Sequence, residues 1–149
     1  MAIAIRQLGL RDSLMVEELL DHFSPGWSDA LAPTASGATA FLAARDSFIF
    51  GAYDDHDAAG WLWGVLLRRP DGRREAYVHE LDVEPTHRRR GIATMLVGAA
   101  MELARQESCS RLWLITRAEN GAGRGLYESL DGRDGGVDDD GWRRFVWQI

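Results

Sequence analysis

Ile3-Ala4-Ile5-Arg6-Gln7-Leu8 alternates in the manner of a strand, and Asp12 or Ser13 then stands where a helix running from about Leu14 to Phe23 needs its cap. Ser24 to Gly37, with Pro25-Gly26, Trp27 and Pro33, is small-residue and proline rich and predicts irregular structure before a short helix at Phe41 to Arg45. Phe48 to Tyr53 and Gly60 to Leu67 read as strands joined across the polar turn Asp54-Asp55-His56-Asp57, and Pro70-Asp71-Gly72 turns the chain into a third strand ending at Val83. Antiparallel pairing of the three is expected. Ile92, Leu96, Ala99, Ala100 and Leu103 recur at helical spacing, which predicts an amphipathic helix from Gly91 to about Glu107. The continuous apolar run Leu112-Trp113-Leu114-Ile115-Thr116 predicts a strand covered on both faces, and the strand-helix-strand order makes it parallel to the strand ending at Val83. A short helix opening at Asn120 to Gly125 and carrying Leu126, Tyr127 and Leu130, then a final strand from Trp142 to Ile149, complete an α/β unit with no repeat or linker. A single domain over 1–149 is expected, with Trp61 and Trp63 in its core.

Composition narrows the chemistry. A net charge of −6, from 23 acidic and 17 basic residues, argues against a nucleic-acid partner. Every basic residue is arginine, so lysine Schiff bases, a lysine general base and the GxxxxGK[ST] nucleotide loop are excluded. The single cysteine, Cys109, forms no intramolecular disulfide and reads as a small buried apolar residue. No signal-like segment and no apolar run of spanning length is present, which gives the expectation of a cytoplasmic protein without a membrane partner.

The strongest local signal is His87-Arg88-Arg89-Arg90-Gly91-Ile92-Ala93, entered from a strand and followed by an anchored helix. The first amides of a helix lack internal partners and its dipole is positive there, so such a turn suits a phosphate group, and Gly91 lets the backbone approach it. Read in isolation, a triple arginine is a solvated patch; its place between strand and helix favours the anion site.

These residues resemble the GNAT N-acetyltransferases, whose signature [Q/R]-x-x-G-x-[G/A] is matched by Arg88-Arg89-Arg90-Gly91-Ile92-Ala93 and whose later Asn and Leu-Tyr pair are matched by Asn120 and Leu126-Tyr127. Within the family, Val78 to Thr94 is most similar to the aminoglycoside 3-N-acetyltransferase branch, although His79-Glu80, Gly123 and Asp131-Gly132 depart from that branch. The resemblance implies a mixed, mostly antiparallel sheet with one parallel pair around the cofactor helix and helices on both faces, acetyl-coenzyme A as cofactor, and no metal. It also implies that Leu81, Asp82 and Val83 hold the pantetheine arm, that Arg88, Arg89, Arg90, Gly91, Ile92, Ala93 and Thr94 hold the pyrophosphate, and that Asn120 bonds the arm.

Acetyl transfer to an amine needs a base for the amine and an acid for the sulfur. Glu80, a carboxylate inside an apolar strand, is the candidate base, against the alternative of a rim glutamate paired with an arginine. Asp82 shares its face in an unbroken strand, where His79 points the other way. Tyr127 is the candidate acid by resemblance, against a core aromatic. A cationic small-molecule amine is the expected substrate, with Trp27, Glu80, Asp82, Asp138, Asp139 and Asp140 as its contacts. Polar turns kept soluble by aspartate remain the alternative for the acidic clusters. Acetylation of a protein, peptide or polyamine amine, and a non-catalytic acyl-coenzyme A sensor, remain open. By analogy of fold, an exposed last strand suggests a homodimer.

Overall fold

The computed structural model describes residues 2–25 and 35–149. Its elements are β1 (Ile3–Gln7), α1 (Ser13–Phe23), α2 (Ala35–Ala43), β2 (Ser47–Asp54), β3 (Asp57–Arg68), β4 (Arg74–Val83), a 3₁₀ turn (Pro85–His87), α3 (Ile92–Gln106), β5 (Arg111–Arg117), α4 (Gly121–Ser129), β6 (Arg133–Val137) and β7 (Trp142–Gln148). Seven strands form one sheet in the order β1-β2-β3-β4-β5-β7-β6, antiparallel except for β4 and β5.

Alternation along the strands sorts the core into two layers. Phe48, Phe50, Ala52, Leu62, Ala76 and Val78 pack with Ile92, Leu96, Val97 and Ala100 of α3, while Ile49 and Trp61 on the other face pack with Val16, Leu19 and Ala38 of α1 and α2. Leu126 and Tyr127 of α4, with Leu130 just past its end, extend the α3 layer over Leu112, Leu114, Phe145 and Trp147. Cys109 is buried in this layer at the end of α3.

Four expectations change. Helix α2 begins well before Phe41, because the alanine-rich run up to it propagates helix and Ala38 buries against the sheet. Residues 133–137 form a strand, β6, although Arg-Asp-Gly-Gly-Val has no alternating pattern and every residue in it is exposed; it is held by the β7 ladder and by the Asp134–Arg143 ion pair. The last strand is therefore interior, between β5 and β6, and offers no free edge for the dimer contact expected of it. Strand β5 is covered on one face only, since Leu112 and Leu114 are buried whereas Trp113 is half-buried and Ile115 is 36% exposed.

Candidate active site

Strands β4 and β5 pair only from Glu75–Arg111 to Val78–Leu114, and beyond that point they part although both continue. Among the described residues the edge of β4 from Leu81 to Val83 that faces β5 thus has no strand partner, its other edge being paired with β3. The gap opens into a cleft of about 890 Å³ lined by Leu81, Asp82, Val83, Arg88, Arg89, Gly91, Ile92, Ala93, Thr94, Asn120 and Tyr127, together with His87, Ala122, Gly123 and Leu126. Residues expected to bind the cofactor from three separate stretches of chain meet here.

Its anionic end is built by the arginine loop. Arg89 (φ 62°) and Gly91 (φ 75°) are both left-handed, a bend that delivers the chain into α3 with the first helical amides unpaired. Arg88 and Arg89 line the cleft. Arg90 is the correction: it is absent from the lining, and its Nη1 donates to Asp54 Oδ2 at 3.0 Å. An alternating spread of consecutive side chains around a tight loop sends one of three arginines back toward the β2–β3 hairpin.

At the far wall, Asn120 caps α4. Its Oδ1 accepts from the Gly123 amide at 3.0 Å and its Nδ2 donates to Thr116 Oγ1 at 2.9 Å, so the amide that lines the cleft is also fixed by local structure. A Cβ at Gly123 would lie 2.4 Å from Asn120 Nδ2, which accounts for glycine there. Tyr127 is buried, packs on Phe145 and Trp147 at ring separations of 5.2 and 6.0 Å, and also lines the cleft, so its place in the core does not remove it from the cleft wall. Burial, with the Asp82 charge adding to it, pushes its phenol up to about 12, and it is protonated at neutral pH.

The α1 and α2 side of β4 carries the carboxylates. Glu80 pairs with Trp63 and Asp82 with Trp61 in an unbroken stretch of ladder, so both acids share one face. The ladder shifts immediately before it: Trp63 opposes Glu80 and Gly64 opposes Val78, leaving His79 as an extra residue in β4. This bulge overturns the expectation that His79 points away. Its ring stacks on Trp63 at 4.4 Å, and its Nδ1 is 3.8 Å from Glu80 Oε1. Trp63 is half-buried at this site instead of sealed in the core. Among the described residues no arginine pairs with Glu80. Burial raises its carboxyl above the usual range, the nearby Asp82 adds to this, and His79 and a hydrogen bond from Trp63 oppose it. Asp82 is also raised, by burial first, against a bond from Trp61 Nε1 at 3.4 Å and the charge of Arg88. Beside Trp63, an apolar hollow of about 190 Å³ is lined by Val16, Leu20, Ala38, Phe41 and Ile49.

The other expected contacts fare differently. Asp138 is a correction: its carboxylate accepts from the amides of Asp140 and Trp142 at 3.0 and 2.9 Å and closes the β6–β7 turn. Asp139 and Asp140 are exposed on that turn, at the end of the sheet toward which β5 points. Trp27 lies outside the described residues. His87, which opens the predicted anion turn without a role of its own there, also lines the cleft. Among the described residues no helix is long and apolar enough to cross a membrane.

Comparison with known proteins places the site in context. The profile of the acetyltransferase (GNAT) family matches residues 13–132, and the chain belongs to this family of acyltransferases. It is 31% identical over 108 residues, 70% of this chain and 74% of the relative, to an aminoglycoside N(6')-acetyltransferase type 1 of Acinetobacter haemolyticus. It is 40% identical over 58 residues to N-alpha-acetyltransferase 30 of Saccharomyces cerevisiae, a match that takes in 39% of this chain and 33% of the yeast protein. Among solved structures, an aminoglycoside acetyltransferase from an uncultured soil metagenomic sample superposes with a TM-score of 0.82 at 23% identity over 93% of this chain and 96% of that one.

Proposed function

We propose that the protein transfers an acetyl group from acetyl-coenzyme A to an amine of a cationic small molecule of the aminoglycoside class. The observation that carries this is the pair of carboxylates, Glu80 and Asp82, on one face of β4, with Asp82 lining the cleft, Glu80 two residues before it, and no arginine bridge to either among the described residues. The cleft fits the cofactor: free amides at the start of α3 with Arg88 and Arg89 for the diphosphate, and the open edge of Leu81 to Val83 for the amide-bearing arm. Acetyl-coenzyme A supplies the activated acetyl group. Glu80 takes the proton from the acceptor nitrogen, Asp82 holds a second cationic centre, and the Tyr127 hydroxyl gives its proton to the departing sulfur. Exposed Asp139 and Asp140 add negative potential at the same end of the sheet.

Resemblance implies the 3-amine as the acceptor position, and the Acinetobacter relative is named for the 6'-amine. A peptide amine is the second reading, favoured by the apolar hollow beside Trp63, which suits an aliphatic side chain better than a polyol. The test follows free thiol when the protein is mixed with acetyl-coenzyme A and aminoglycosides bearing a 3-amine, a 6'-amine or both, polyamines, or peptides, with the acetylated nitrogen located by mass spectrometry. Turnover is expected with aminoglycosides. Turnover with peptides alone moves the assignment to the second reading, and coenzyme A binding without turnover on any amine moves it to a sensor.

A further inference from the structure

Asp54 ends β2 one residue before the hairpin loop, and its side chain is 14% exposed where that of Asp55 is 90% exposed. It is turned onto the arginine loop. His87 Nε2 lies 3.3 Å from Asp54 Oδ2 and Arg90 Nη1 donates to the same oxygen at 3.0 Å. The segment so gripped has little else to hold it. Among the described residues Arg89, Arg90 and Gly91 donate no backbone–backbone hydrogen bond, the Arg88 amide reaches Pro85 O and its Nε reaches Val83 O only at 3.5 Å, and Arg89 sits in the left-handed region that costs a non-glycine residue about 1 kcal/mol.

We propose that Asp54 is a positioning residue for the cofactor phosphates: through His87 on one side of the loop and Arg90 within it, it fixes the bend that aims the α3 amides, Arg88 and Arg89 into the cleft. This rests on the reading of the cleft as the diphosphate site. The arrangement divides the three arginines by task, with two for the ligand and one for the frame. Arg90's hydrogen bond, with smaller contributions from the Arg90 charge and from His87, holds the Asp54 carboxyl below its usual range against burial, so Asp54 is ionised throughout the assay range.

Asp54→Asn is expected to weaken coenzyme A in calorimetry, and to raise KM for acetyl-coenzyme A, by about tenfold, with kcat at saturation within about twofold. The rate with acetyl-pantetheine, which lacks the diphosphate, stays that of the parent, as does every value for Asp55→Asn. Arg90→Met is expected to match Asp54→Asn, and the double variant to be no worse than either single one, whereas Arg89→Met multiplies with Asp54→Asn. Unchanged affinity in both single variants, multiplication of Arg90→Met with Asp54→Asn, or an equal loss with acetyl-pantetheine overturns the proposal. Thermal unfolding checks that each variant folds, and if Asp54→Asn does not, Arg90→Met with acetyl-pantetheine carries the same decision. A parent protein that binds no coenzyme A at all refutes the cofactor reading itself.

Discussion

Glu80→Gln is expected to lower kcat by a factor on the order of 10²–10⁴ while coenzyme A affinity stays close to that of the parent. Glutamine keeps the shape of the side chain and can still accept from Trp63, so the loss reports the missing base and little else. The pH profile gives an independent reading. Burial raises the Glu80 carboxyl, and the basic form exists only above that raised pKa, so the parent's rate climbs with pH along a limb lying higher than an ordinary carboxylate would give. The variant lacks this limb. Tyr127, at about 12, stays protonated across the same range and adds no loss on the alkaline side below pH about 10. A variant that turns over at the parent's rate removes Glu80 from the mechanism.

Gly64→Ala is expected to cost about 3 kcal/mol of stability, the upper end for overpacking, and to lower the unfolding temperature by roughly 6–12 °C in a domain of this size. The added Cβ would stand 2.0 Å from the Tyr77 carbonyl oxygen and 2.8 Å from Phe48 Cζ. Neither yields cheaply, because one is sheet backbone and the other is core. Gly64 also faces the bulge, so relief must come from β4 at the residues that place His79 and Glu80, and kcat falls with stability. Gly98→Ala is the control: a Cβ there meets nothing within 4 Å, and alanine is the better helix former. Equal unfolding temperatures for Gly64→Ala and the parent in calorimetry would show that the sheet absorbs the methyl without moving β4.

What could be read in advance follows from the range of each cause. Helix α3 and the arginine-glycine corner are written in neighbouring residues, through a 3.6-residue apolar period and the chemistry of a helix start, and both stand where expected. The hairpin of β2 and β3 was equally local, although β3 starts at Asp57, three residues before Gly60. Strand β6 was illegible because its partner β7, not its own side chains, makes it a strand. The bulge left one trace, Gly64 within a strand, which marks a close approach without saying which side chain it redirects. Arg90 could not be told from Arg88 and Arg89, since its partner Asp54 lies 36 residues away in the chain. Glu80 and Asp82 stand out in the sequence because charge inside an apolar strand is costly wherever the strand lies, and the fold puts both on one face of β4.

Cys109 has a practical consequence. The residue is buried in the core just past α3 with 5% of it exposed, and burial raises the thiol, so thiolate is scarce and out of reach of disulfide reagents. Since the chain has no second cysteine, colour developed with such a reagent on the native enzyme measures liberated coenzyme against an almost blank background.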